Sequence, residues 1–229
     1  MSDSGTMPDW EKVLSAAARL QQIIPEAVLV GGTAAAAHAR HRHSRDADHV
    51  LTDLRGRFDQ VLRDLESVAG WKTARVNRPL LILGSLDGIE TGIRQLIRET
   101  PLETITLDLP GARITLPTAQ EMLRIKAVLI LKRNATRDYL DFAALADRLG
   151  PDAAVAALAP LDTLYPQANA ESVIQQLQVQ LAAPAPYDLD DLRLDEYRNL
   201  DPKWHDWTTV RSACAAMAVA LTRTWDSTP

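Results

Sequence analysis

The sequence predicts a mixed α/β core followed by a helical lobe, and three observations carry that reading. Short apolar runs bounded by turn residues crowd the first half, with Asp87-Gly88 and Pro110-Gly111 placed as hairpin turns. Beyond Pro117 the apolar residues recur at helical spacing instead. Between an apolar run and an alanine-rich stretch stand Gly31 and Gly32, a pair suited to a tight strand-to-helix turn. The expected division is a core over residues 1–116 and a lobe over residues 117–229 that completes an active-site cleft. A chain of 229 residues with 46% hydrophobic content is large enough to bury such a core.

The elements follow in order. A first helix is expected from about Pro8 to Ile24, started by a capping box of Thr6 and Asp9 and stopped by Pro25. Ala27–Val30 reads as a short buried strand, Thr33–Arg40 as a helix, and Ala47–Leu51 as the next strand. Phe58, Val61, Leu62 and Leu65 mark an amphipathic helix. Two hairpins follow, Leu80–Leu86 with Ile89–Ile97, and Ile105–Leu109 with Ala112–Leu116. In the second half, Thr118 and Glu121 form a capping box, Thr136 caps a helix from Arg137 to Leu149, and Gly150-Pro151 ends it. Helices are expected over Asp152–Ala159, Ser172–Leu181 and Trp204–Thr224, with Ala182–Pro202 as an acidic linker.

Composition narrows the function classes. The single cysteine, Cys214, rules out an internal disulfide framework and fits a reducing compartment. No stretch approaches the ~20 apolar residues that cross a bilayer, and the N-terminus lacks a signal-peptide pattern. The expectation is a cytoplasmic protein with no membrane partner. Net charge is −5, which argues against a general nucleic-acid binder, although arginines cluster at 40–63 and basic residues again at 124–137.

Chemistry concentrates between Leu29 and Leu51. Two glycines after a strand let backbone approach a ligand, and the helix start behind them offers free amides and a positive dipole, a geometry that favours phosphate. Asp46 and Asp48, two apart on a strand, project to one side. Their mutual repulsion is relieved by a divalent cation, which can also hold triphosphate oxygens. A plain structural turn and two solvent-facing strand-end carboxylates are the bland alternatives. The histidines His38, His41, His43 and His49 match no metal-binding spacing. Trp204, Trp207 and Tyr197 read as packing for the last helix in preference to base-stacking surfaces, and Cys214 as core.

Gly31-Gly32-Thr33 followed by Arg42-x-Ser44-x-Asp46-x-Asp48 resembles the signature of DNA polymerase β-type nucleotidyltransferases, and more narrowly the AbiEii-type toxins of type IV toxin–antitoxin systems. Lys126, Arg133 and the run Arg137-Asp138-Tyr139-Leu140-Asp141 resemble that branch's later lysine and aspartate motifs. The resemblance covers roughly Val28 to Leu149. It implies a nucleotidyltransferase-fold mixed sheet with a helical lobe, and transfer of a nucleoside monophosphate from a nucleoside triphosphate co-substrate. Mg²⁺ (or Mn²⁺) would be held by Asp46 and Asp48. Gly31, Gly32, Thr33, Ser44, Lys126, Arg133 and Asp138 would bind nucleotide, and Asp141 would join Asp46, Asp48 and Lys126 in catalysis. Asp138 and Asp141 share a helix face, so either could hold Lys126 or Arg133 or act as a base. A snorkelling surface Lys126 and an ordinary Arg137–Asp141 pair compete with those roles. Glu90, with Asp108 behind it, is the candidate third carboxylate. The resemblance further implies an RNA acceptor such as a tRNA 3′ end, and a cognate antitoxin. A small hydroxylated molecule or a protein hydroxyl is the alternative acceptor, and an inactive nucleotide-binding or interaction module the alternative to an enzyme.

Overall fold

The structure is a computed structural model that describes residues 9–109 and 112–223. They fall into two compact units. Residues up to Ala34 join Ser44–Pro117 in the first, and Ala35–His43 join the residues from Thr118 onward in the second.

The first unit is a five-stranded mixed sheet with helices against one face. Its elements are α1 (Asp9–Ile23), β1 (Val28–Leu29), the start of α2 (Gly31–Ala39), β2 (Ala47–Leu51), α3 (Leu54–Glu66), β3 (Trp71–Asn77), β4 (Leu81–Leu86) and β5 (Ile89–Gln95). The strand order is β1-β2-β5-β4-β3. β2 and β5 run parallel, and the other neighbours run antiparallel. A second hairpin, β6 (Thr104–Leu109) with β7 (Ala112–Pro117), completes the unit.

Alternation decides which residues face inward. Leu51, Ile93, Ile82, Leu86 and Trp71 point to one side of the sheet, where Leu20 of α1, Ile24 just after it, and Leu54, Phe58, Val61 and Leu65 of α3 bury them. Gly84 lies on this side because a Cβ there would sit 2.7 Å from the Trp71 ring. The buried amide of Gln21 on α1 clamps β7, donating to the Thr115 carbonyl and accepting from the Thr115 amide, each at 2.7 Å. The opposite face presents Asp48, Val50, Gly92, Arg94, Leu83 and Ser85.

The second unit is helical: α4 (Ala119–Arg133), α5 (Thr136–Leu149), α6 (Pro151–Leu158), a single turn α7 (Leu161–Leu164), α8 (Val173–Ala182) and α9 (Trp207–Arg223). Thr118 caps α4 by accepting the Glu121 amide at 3.1 Å, and Asn134 closes it in the left-handed conformation.

Several expectations need correction. Helix α2 begins at Gly31 itself, not Thr33, and β1 is only two residues long. The edge strand β3 was not anticipated; all its residues except Trp71 are exposed, so it carries no apolar alternation to read. Thr136 is not the cap of α5. Its amide and hydroxyl both donate to Asp188 Oδ1 at 2.7 Å, and Ala135 occupies the cap position. The stretch 182–202 is no free linker: Leu194 and Leu200 are buried, and its backbone bonds to His41 and His43. Trp204 belongs to a short 3-10 turn (Pro202–Trp204) ahead of α9. Thr6 and the Pro110-Gly111 turn lie outside the described residues.

Candidate active site

On the first unit the glycine turn and the two aspartates converge. Gly31 adopts φ +73°, a conformation costly for residues with a Cβ, and this turns the chain from β1 into α2. A Cβ at Gly31 would stand 3.6 Å from Asp48 Cβ and 3.7 Å from Asp48 Oδ2, so the carboxylate lies beside the bend. The Val30 amide donates to the Asp48 carbonyl at 2.8 Å, which locks the bend to β2. Amides at the start of a helix have no intrahelical acceptor, so the first turn of α2 offers donors near this carboxylate.

Asp46 is held from two directions. The Ser44 hydroxyl donates to Asp46 Oδ1 at 2.6 Å, and the buried Thr33 hydroxyl donates to the Asp46 carbonyl at 2.5 Å. The hydroxyls of Thr33 and Ser44 therefore position the acidic residue, and the donors this motif leaves over are backbone amides. Asp46 stands one residue ahead of β2, two positions before Asp48.

The sheet register adds Glu90 to this group. Ala47 pairs with Thr91 and Asp48 with Gly92 in the parallel β2–β5 ladder. Glu90, two residues before Gly92 on β5, lies on the same sheet face as Asp48. Asp108 is elsewhere, exposed on the β6–β7 hairpin and paired with Arg113 at 3.0 Å. Among the described residues no set of three or more His, Cys, Asp or Glu side chains is gathered as metal ligands. A cation at Asp46 and Asp48 would complete its shell with water and phosphate oxygens, as Mg²⁺ commonly does. Two carboxylates beside a bend with no Cβ to block it fit that ion.

His49 points to the other side of β2, into the core. It is fully buried, and neither ring nitrogen reaches a partner in hydrogen-bonding geometry, though backbone groups of Ala47, Ala17 and Gly92 are near. Burial pushes its pKa down to about 4, so the ring is neutral.

On the second unit the later motif residues form a buried charged network. Lys126, 2% exposed, reaches Asp138 Oδ1 at 3.1 Å and Asp141 Oδ2 at 2.7 Å. Asp141 also accepts from His41 Nε2 at 2.7 Å, and from Arg42 Nε at 2.7 Å and Nη2 at 3.0 Å. Burial alone would raise the Asp141 pKa, but Arg42 and Lys126, with the His41 bond, outweigh it and hold the carboxyl well below its ordinary range. Asp138 takes a two-pronged contact from Arg133, whose side chain is 40% exposed and forms the open end of the network.

Asp141 is thus an ionised anchor with donors around both oxygens, not half of an Arg137 pair. Lys126 is no surface residue snorkelling over the core; its ammonium is enclosed by two carboxylates. The residues missed by sequence reasoning are His41 and Arg42 as partners of Asp141, about a hundred positions along the chain. The strap 194–201 fixes them: the Arg198 carbonyl accepts the His43 amide at 2.8 Å, the Asp201 amide donates to the His41 carbonyl at 2.7 Å, and Arg42 stacks over Tyr197. Their only sequence trace is Arg42's place in the Arg42-x-Ser44-x-Asp46-x-Asp48 motif.

The mixed sheet with its helices matches the fold of solved nucleotidyltransferase-fold proteins. A Helicobacter pylori protein described as a candidate nucleotidyltransferase superposes with TM-score 0.55 over 100% of both chains, at 14% identity. JHP933 from the same organism gives 0.53 at 14% identity, over 95% of this chain and 93% of that one. No family model matches the chain. In sequence the chain is similar to the heme uptake protein MmpL11 of Mycobacterium tuberculosis, 32% identical over 232 residues and 93% of this chain. It spans only 23% of that protein's length. Among the described residues no helix is long and apolar enough to cross a membrane.

Proposed function

We propose that the protein is a Mg²⁺-dependent (or Mn²⁺-dependent) nucleotidyltransferase that moves a nucleoside monophosphate from a nucleoside triphosphate to an RNA acceptor. The observation that carries the proposal is Asp48 set against the Gly31 bend, with Asp46 held beside it by Ser44 and Thr33. Asp46 and Asp48 would hold the metal, which supplies charge neutralisation for the triphosphate when bound. The amides of Gly31, Gly32 and Thr33 would bind phosphate oxygens. The acceptor hydroxyl attacks the α-phosphorus, the new O–P bond forms as the bond to the β-phosphate oxygen breaks, and pyrophosphate leaves. Glu90, on the same sheet face as Asp48, would accept the hydroxyl proton or a share of the metal. Asp141 would act as a positioning residue that fixes Arg42, and Lys126 as the link between Asp138 and Asp141. A cytoplasmic toxin restrained by an antitoxin is the biological setting the motif resemblance favours.

The test is incubation with α-labelled triphosphates, total RNA and Mg²⁺. Label should enter RNA with the wild-type chain and not with Asp48→Asn, while circular dichroism shows an unchanged fold. Equal labelling by both would end the reading. The similarity to MmpL11 favours one second reading, a nucleotide-binding module without turnover that works beside a membrane transporter. Triphosphate binding that requires Asp48, with no labelled product on RNA, protein or small hydroxylated molecules, would select it.

A further inference from the structure

The sheet face that presents Asp48 also presents three exposed cations, Lys72, Arg75 and Arg94. Strand partners project to the same side, so the register lays out rows running away from β2. One row holds Asp48, Gly92, Leu83 and Arg75. The row before it continues from Glu90 through Ser85 to Lys72, and the row after it runs Val50, Arg94, Leu81 and Asn77. Lys72, Arg75 and Arg94 are exposed, and among the described residues none of them carries an ion pair. Other arginines of this unit are spoken for: Arg19 by Asp87, Arg57 by Glu26 and Asp53, Arg78 by Asp59, and Arg113 by Asp108.

The face is therefore polar in a directional sense. Carboxylates gather at β2 and the start of β5, and unpaired cations gather at the end of β5 and on β3. Between Asp48 and Arg75 it is flat: a Cβ at Gly92 would meet Leu83 Cδ2 at 2.6 Å, so Leu83 lies across a position that has no side chain. Three strand spacings separate β2 from β3, ~14 Å in backbone terms, while Arg94 stands on β5 next to β2, so the three cations spread outward from Asp48.

We propose that Arg94, Arg75 and Lys72 form a track for the phosphodiester backbone of a single-stranded polynucleotide whose reactive end lies at Asp46 and Asp48. Its role as the acceptor path rests on the transfer reading; binding itself does not. No aromatic side chain lies in these rows, so the track reads backbone charge and not bases. An anionic membrane fits less well, because the carboxylates of the same face would repel a plane of headgroups, whereas a chain can end among them. The overall charge of −5 makes a local unpaired set of cations the place where such a chain is held.

The experiment measures binding of a short fluorescein-labelled single-stranded RNA of mixed sequence across a salt series, without nucleotide. Three phosphate contacts correspond to a slope of log K against log salt of roughly −2. The triple variant Lys72→Gln/Arg75→Gln/Arg94→Gln should flatten the slope by about that amount, and Arg113→Gln should leave it as in the wild type. An unchanged slope in the triple variant, or no RNA binding by the wild type, overturns the track. So does a cation-dependent affinity for phosphatidylserine vesicles that exceeds that for RNA. Track-dependent RNA binding without any transfer would sink the transfer reading alone, and transfer to RNA with undiminished apparent affinity in the triple variant would sink the track alone.

Discussion

Replacing His49 by leucine should remove an acid-sensitive weakness from the first unit. The ring is buried beneath α1, and burial holds its pKa at about 4 against the ordinary 6.5. The unfolded chain takes up this proton as pH falls through 6.5; the folded chain does so only near 4. Between those values the unfolded state binds more protons, so stability falls as pH falls. At 1.36 kcal/mol per pH unit the loss reaches roughly 3 kcal/mol by pH 4. Leucine has similar bulk, does not titrate, and leaves no ring nitrogens without partners. Urea unfolding followed by circular dichroism, from about pH 7 to about pH 4.5, compares the two chains. The wild type should lose ground to His49→Leu by more than 1 kcal/mol for each pH unit below 6.5. Parallel stability profiles would refute the argument, since they would mean the folded ring is protonated as easily as the unfolded one.

Two further outcomes follow from the same kind of reasoning. Asp141→Asn should cost about 3–5 kcal/mol at neutral pH, because Arg42 is left buried without its counter-charge and Lys126 keeps only Asp138. The Asp141 pKa is lowered on folding, so its contribution is complete above the ordinary carboxylate range and lost as pH falls below it; the variant should lack that acid limb in chemical denaturation. A loss below 1 kcal/mol would show that the network contributes little. Gly31→Ala should cost about 1 kcal/mol through its φ of +73°, since the nearest approach to Asp48 is an ordinary contact. Transfer should fall further than stability, and kinetics at matched folded fraction would separate the two.

Local signals were enough to read β2, both hairpins, α4 and the helical character of the second half, because each has its own periodicity and turn chemistry. The approach of Asp48 to the Gly31 bend depends on a short stretch of chain, since only sixteen intervening residues carry the chain from one to the other. β3 was not legible, since an exposed edge strand held by ladder bonds needs no apolar pattern. Nor was the strap over 194–201, whose acidic, proline-flanked sequence looks like a linker until Leu194 and Leu200 are seen buried.

The sequence by itself therefore determined the fold class, the acidic pair and its glycine bend, all of which depend on neighbours within a turn or a strand. Tertiary structure alone decided that Asp141 answers to His41 and Arg42, that Lys126 is enclosed, and that Glu90 shares a sheet face with Asp48. Those pairings join residues from distant parts of the chain. Burial and strand register set their energies, and neither quantity exists until the chain has folded.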